Sequence, residues 1–347
     1  MRSTNNSSSY NERDYLFDFI KPNDNDLLSL MKGIDLQELL YRLDNYYLEL
    51  RDTLGFSNTV TFGLELEFEK ANRNRIEDKL WDAGLYSSWN VKSDASLDHG
   101  AEINSPILRD EKEIWIDLRN VCDIVKEHAI IGKNSGGHIH IGTQVLGANK
   151  EHWLNFIKLW SIYENIIFRF LYGDSLTHRA SLERFAPPMA ECLWEEYNSL
   201  KRLMARNMSF GYMINELQYD RYNAINFHNV NDPSGFCSRN TIEFRCPNGT
   251  LEPVIWQNNV NLLVNILNYS KSNTYDDDTI SKRRDINGDK YSKLEWYNQI
   301  YLVQALELCD MLFDNNLDKV YFLRQYLKSF QIGASVLDKP KTFVKKK

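Results

Sequence analysis

The sequence predicts an α+β chain in which a mainly antiparallel sheet carries helices packed on its back. Three observations predict it. Four short segments alternate apolar and polar residues with period two: TFGLELEFE from Thr61, AEINSPI from Ala101, HIHIG from His138 and RNTIEFR from Arg239. Longer segments between and after them repeat apolar residues at helical spacing. The turn residues Asp98 to Gly100 separate two of the strand-like runs closely enough for a hairpin, which makes antiparallel pairing the default.

Taken in order, residues 1–22 are Ser/Asn-rich and predict a flexible lead. Leu27, Leu28, Leu30 and Met31, then Leu39, Leu40, Leu43, Tyr46, Tyr47 and Leu50, predict one or two amphipathic helices within residues 23–56, broken near Gly33. After the first strand, Arg73 to Leu85 reads as a short helix ending near Gly84. Trp89–Lys92 and Ala101–Ile107 form the hairpin, closed by Pro106. Asp110 to His128 predicts a helix with Ile114, Leu118, Val121, Cys122 and Val125 inward. The loop GKNSGG leads into HIHIG. From Glu151 to Leu171 the helical residues are aromatic or aliphatic on most sides, among them Trp153, Phe156, Trp160, Ile166, Ile167 and Phe170, so this helix is expected in the core. Tyr172 to Pro188 lacks periodicity and reads as a loop carrying Arg179 and Arg184. A helix over Trp194–Arg206, a strand in RYNAINFHNV and a helix over Glu252–Tyr269 follow; the remainder to Tyr326 is mainly helical, apart from a polar interruption at Asn273–Asp289. The organisation is thus a lead (1–22), N-terminal helices (23–56), a core (57–272) and a helical extension with a basic tail (273–347).

Composition narrows the function classes. The 347 residues, 43% hydrophobic, suffice for a large core, and the net charge of −7 argues against a nucleic-acid surface. Five widely spaced cysteines without a CxxC pair suggest reduced thiols, not a disulfide framework or a zinc knuckle. The polar N-terminus and the lack of long apolar runs predict a cytoplasmic protein that does not engage a membrane.

The alternating strands carry the chemistry. On the first, Glu65, Glu67 and Glu69 share one face, and such a face either meets water or holds hard cations such as Mg²⁺ through oxygen ligands. Glu69 is expected to be solvated. Glu102 and Asn104 share a face of the second strand, His138 and His140 of the third, Glu243 and Arg245 of the fourth. A lone HxH is as often structural as metal-binding. Gathered on one sheet, these groups make an inventory for holding a nucleoside triphosphate through metal ions, with an arginine to stabilise charge on a transferred phosphoryl group. Neither GxxxxGK[ST] nor GxGxxG occurs, so a nucleotide would rest on acidic residues and metals.

The series GLELEFE, SDASLDHGAEINSPIL, SGGHIHIG and NTIEFRCPNGTL resembles the amidoligases of the glutamine synthetase and glutamate–cysteine ligase superfamily, over residues from about 60 to about 270. The resemblance implies a curved antiparallel sheet with helices on its convex face and a concave face that binds ATP and Mg²⁺ or Mn²⁺. It implies metal ligation by Glu65, Glu67, Glu102, His138 and Glu243, with His140 nearer the nucleotide and Arg245 on the γ-phosphate; Arg245, Glu243 and His140 would be the catalytic set. Asp94, Arg179, Arg184, Asn223 and Asn226 fall in segments similar to weaker family patterns and enter as nucleotide-site candidates. The implied reaction joins a carboxylate to an amine, each from a small molecule, peptide or protein, through an acyl phosphate. No counterpart of the long N-terminal domain of glutamine synthetase is evident, so a homo-oligomer stays open while a ring with shared sites is not expected. A metal-dependent phosphotransferase, an HxH metallohydrolase and a non-catalytic protein with the same sheet remain as alternatives.

Overall fold

The computed structural model describes residues 48–173, 175, 178–231, 240–288, 296–297 and 301–327. The expected lead, most of the N-terminal helical segment, Cys237 and the basic tail lie outside the described residues. The expected mixture of helix and sheet is present. Six strands, β1 (Phe62–Phe68), β2 (Asn90–Ser93), β3 (Ala101–Asn104), β4 (Gly137–Gly142), β5 (Ile225–Asn226) and β6 (Thr241–Phe244), form one open sheet in the order β2-β3-β1-β4-β6-β5. Every neighbouring pair is antiparallel.

Alternation decides which way each side chain points. Phe62, Leu64, Leu66 and Phe68 of β1, Ile103 of β3, Ile139 and Ile141 of β4, and Ile242 and Phe244 of β6 are all buried. Helices cover this apolar side. Trp115 of α2 (Lys112–His128) stacks on Phe62 with ring centroids 5.3 Å apart, and Trp160 of α3 (Lys150–Leu171) stacks on Phe244 at 5.5 Å. Gly137 of β4 lies against Trp256 of α7 (Pro253–Ser270). Other α-helices among the described residues include α1 (Arg73–Asp82), the single turn α4 (Leu182–Phe185), α5 (Ala190–Met204), α6 (Phe210–Leu217), α8 (Asp277–Asn287), α9 (Leu302–Leu312) and α10 (Asn316–Leu327). The apolar residues expected on α3 are buried as predicted, and its Asn149 cap accepts from Glu151 N.

Four expectations need correction. Residues 48–54 are not helical: Glu49 N donates to Tyr321 Oη, Arg51 N to Gln257 Oε1 and Leu54 N to the Asp110 carboxylate, so long-range side chains take the amide bonds a helix would use. The strand expected in RYNAINFHNV shrinks to Ile225–Asn226, because turns occupy 221–224 and 228–229. The polar interruption at 273–289 contains α8, capped by Asp276, whose carboxylate accepts from Thr279 N. Glu69 is not solvated; it lies beyond the end of β1, 4% exposed, with Oε1 accepting from Asn134 N. The four described cysteines are unpaired thiols. Among the described residues no helix is long and apolar enough to cross a membrane.

Candidate active site

Register brings the polar residues of the uncovered side together. Glu65 of β1 lies between Asn104 of β3 and His138 of β4; Glu67 pairs with Glu102, and Glu102 with Lys92; His140 pairs with Glu243, and Glu243 with Asn226. Side chains of directly opposed residues on one face are close enough to interact. His138 donates from Nδ1 to Glu65 Oε2 at 2.7 Å, and its Nε2 stands 3.3 Å from Glu67 Oε1. His140 Nε2 donates to Glu65 Oε1 at 3.1 Å, and Asn104 Nδ2 donates to the same oxygen at 3.1 Å. Glu243 is held from both sides, by Arg245 Nη1 on Oε1 and by Asn226 Nδ2 on Oε2 at 2.6 Å.

Two groups have the spacing of cation sites. Glu65, His140 and Glu243 each offer a ligand atom within 4.8 Å of the others, and Glu67, Asp94 and Glu102 do the same. Their donors, five carboxylates and one imidazole, suit a hard divalent ion such as Mg²⁺ or Mn²⁺. Asp94 reaches its group from the turn after β2, where its carboxylate also accepts from Ser96 N at 2.7 Å. Glu67 is fixed from behind by Gly136 N, which donates to Oε2 at 2.6 Å. A Cβ on Gly136 would lie 2.7 Å from the Arg179 guanidinium, so any larger residue there would push that side chain from its place.

The electrostatics follow from this crowding. Burial would raise the Glu65 carboxyl, but hydrogen bonds from His138 and His140, with their charges, outweigh it and hold the group well below the ordinary carboxylate range. Burial opposes the charged form of His140, yet the Glu65 hydrogen bond and the charges of Glu243 and Glu65 raise its affinity for a proton. Glu102 is raised, first by burial and then by the Glu65 charge.

Two cavities meet at these residues. A small pocket of about 240 Å³ is lined by Glu67, Asp94, Glu102, His138, Tyr222 and Arg245 among others. A groove of about 1120 Å³ runs past Thr61, Lys92, Asn104, Arg109, His140 and Thr241. Glu65 lines both.

The remaining expected residues sort differently. Arg179 lines the small pocket, but its guanidinium is engaged with the carbonyls of Arg245, at 2.8 Å, and Pro247 and with Ser181 Oγ. Arg184 is exposed and lies over the Phe185 ring, 4.8 Å from its centroid. Asn223 donates to Asp220 O at 2.9 Å and lines neither cavity. The sequence places Asn104 on the Glu102 face but gives it no role, and Thr241 and Tyr222 are absent from the expected set. Asn104 and Thr241 sit two positions from Glu102 and Glu243 on the same strand faces, a signal that was available; Tyr222, whose ring lies 5.8 Å below the Arg245 guanidinium, comes from a turn with no periodicity to place it.

A family model described as "Putative amidoligase enzyme" matches residues 82–267, more than half of the chain. No curated protein matches the chain.

Proposed function

Because the chain belongs to this amidoligase family, we propose that it is an ATP- and Mg²⁺-dependent carboxylate–amine ligase with a glutamine synthetase-like catalytic sheet, forming ADP and working through an acyl phosphate. The observation that carries the reading is the pair of three-residue clusters on one sheet face, at the junction of a large groove and a small pocket. The groove has the volume of a site for a nucleotide-sized ligand, and the pocket suits the smaller reacting carboxylate. Glu65, His140 and Glu243 would hold one divalent cation and Glu67, Asp94 and Glu102 another, with His138 between them bonded to Glu65. Bound there, the cations supply positive charge to the phosphate oxygens.

A donor carboxylate oxygen attacks the γ-phosphorus, and the bond from that phosphorus to the β–γ bridging oxygen breaks to release ADP. Arg245, anchored on Glu243 and backed by Tyr222, faces the small pocket and stabilises the negative charge on the transferred group. The amine nitrogen then attacks the acyl carbon, and the bond to the phosphate oxygen breaks. An ammonium substrate loses one proton to become nucleophilic and a second as the amide forms. The fixed carboxylates also make the pocket attractive to that cation before it reacts.

Calorimetric titration of ATP with and without Mg²⁺, repeated on Glu65→Gln, tests the reading. Metal-dependent binding that the substitution abolishes is the expected result. Binding that needs no metal, or that survives in the variant, would remove the nucleotide from this face.

A further inference from the structure

Arg179 stands between two cavities of opposite character. On one side is the acidic pocket described above. On the other is a cavity of about 320 Å³ lined by Lys133, Ser135, His178, Arg179 and Asn248 around glycines 132 and 249, and among the described residues no carboxylate lines it. We propose that this second cavity is an anion site, which takes a small oxyanion carrying a carboxylate or phosphate group against Arg179 and Lys133. The inference uses neither the metal clusters nor the groove, although Arg179 also lines the acidic pocket of the ligase reading.

The starting point is a buried cation. Arg179 is 5% exposed, and among the described residues its guanidinium forms no salt bridge. Its partners are two backbone carbonyls and the Ser181 hydroxyl, which use three of its five N–H donors. A guanidinium stays protonated at any physiological pH, and carbonyl dipoles offset only part of the cost of removing it from water. Burial accordingly pulls its proton affinity down, and the Glu67 carboxylate, on the side of the acidic pocket, offsets only part of that pull. An anion in the adjoining cavity supplies counter-charge from the other side of the guanidinium.

The cavity is also preorganised. Arg179 N donates to Asn248 Oδ1 at 2.8 Å, Ala180 N to Lys133 O at 2.7 Å, and His178 Nδ1 to Arg179 O at 2.6 Å, so the wall is tied on three sides before any ligand arrives. Ser135 Oγ accepts from Gly132 N at 3.0 Å, which leaves its hydroxyl hydrogen to donate. Glu69, packed against Gly132 through Oε2, accepts from Asn134 N on Oε1. Lys133 is exposed and completes the lining with a mobile cation.

The test uses the full chain in EDTA, to keep anions from being recruited by metal at the acidic clusters. Inorganic phosphate and, separately, succinate are titrated at constant ionic strength set by chloride, with calorimetry and melting temperature as readouts, on the wild type, Lys133→Ala and Lys133→Glu. The lysine is exposed, so both variants should melt in chloride as the wild type does. Saturable binding by either probe, weakened several-fold in Lys133→Ala and at least tenfold in Lys133→Glu, is expected. Phosphate alone would assign the site to phosphoryl groups, succinate alone to carboxylates, and both to anions generally. Absence of saturable binding by either probe, or equal binding by Lys133→Glu, would overturn the proposal.

Discussion

Asn226→Ala isolates the support of a site carboxylate from the carboxylate itself. Asn226 is buried, and its amide does two things: Nδ2 donates to Glu243 Oε2 at 2.6 Å, and Oδ1 accepts from His228 N at 2.9 Å. The first bond holds Glu243 in the cluster with Glu65 and His140. Alanine leaves Arg245 as the remaining anchor of Glu243 and frees the carboxylate to rotate. A hydrogen bond to a charged group is worth about 1.5–3 kcal/mol, which corresponds to about 10- to 150-fold in a binding constant. Loss of a partner behind a metal ligand typically costs about 10- to 100-fold in metal affinity, so the two routes to the magnitude agree. Mn²⁺ titrated into the wild type and the variant by calorimetry should show that loss, while circular dichroism shows a folded protein with a lowered melting temperature. Asn223→Ala, three residues earlier and bonded only to the Asp220 carbonyl, should bind as the wild type does. Equal Mn²⁺ affinity in the wild type and Asn226→Ala, in an assay where Glu243→Gln loses it, would refute the positioning argument.

Two further predictions concern buried carboxylates. Glu164, fully buried in α3, accepts from Met189 N, Ala190 N, Trp160 Nε1 and Tyr297 Oη, all at 2.7–2.8 Å. Burial lifts its carboxyl, and the four donors offset only part of the lift. Glu164→Gln turns an amide NH₂ toward two of those donors and should cost about 2–4 kcal/mol in urea denaturation, through orphaned buried donors at the start of α5; an unchanged midpoint would show that the site rearranges freely. For Glu102, raised by burial and by the Glu65 charge, protonation favours the metal-free fold. That contribution is complete below the ordinary glutamate value of about 4.3 and is lost as pH rises through the raised folded-state value. The stability of metal-free Glu102→Gln relative to the wild type should therefore improve with rising pH in urea melts, and a difference flat from about pH 4 to about pH 7 would sink the assignment.

The strands that carry the site were legible because their evidence is local. Period-two alternation in TFGLELEFE, HIHIG and RNTIEFR states which residues share a face without reference to any partner, and Glu65, Glu67, His138, His140, Glu243 and Arg245 all fall as that rule requires. What was not legible depends on distant partners. The leucine and tyrosine spacing that suggested a helix through Leu54 is overridden by Tyr321, Gln257 and Asp110, which lie 56 to 272 residues away. The helix α8 was hidden for the opposite reason: it buries only Ile280 and Asn287, so it has almost no apolar stripe, and its local signs are the Asp276 cap with Asp277 and Asp278 in the first turn. Glu69 continued the alternation of β1 but falls past the end of the strand, where the loop amide of Asn134 claims it.

The division into two clusters follows from geometry that the E-x-E spelling only partly contains. Residues i and i+2 of a strand stand about 6.6–7 Å apart at Cα, so whether their carboxylates converge or diverge is decided by the neighbouring strands. Glu65 and Glu67 fall in different groups of three: Glu65 with His140 and Glu243, Glu67 with Asp94 and Glu102. Register supplies the rest, because His140 faces Glu243 directly and Glu67 faces Glu102, so each cluster is one cross-strand pair joined by one further residue. For the first cluster that residue is Glu65, on the strand beside the pair. For the second it is Asp94, which enters from the turn after β2 and is invisible to any argument from strand periodicity. His138, although directly opposite Glu65, belongs to neither set of three; with one ring nitrogen toward Glu65 and the other toward Glu67, it bridges the two groups.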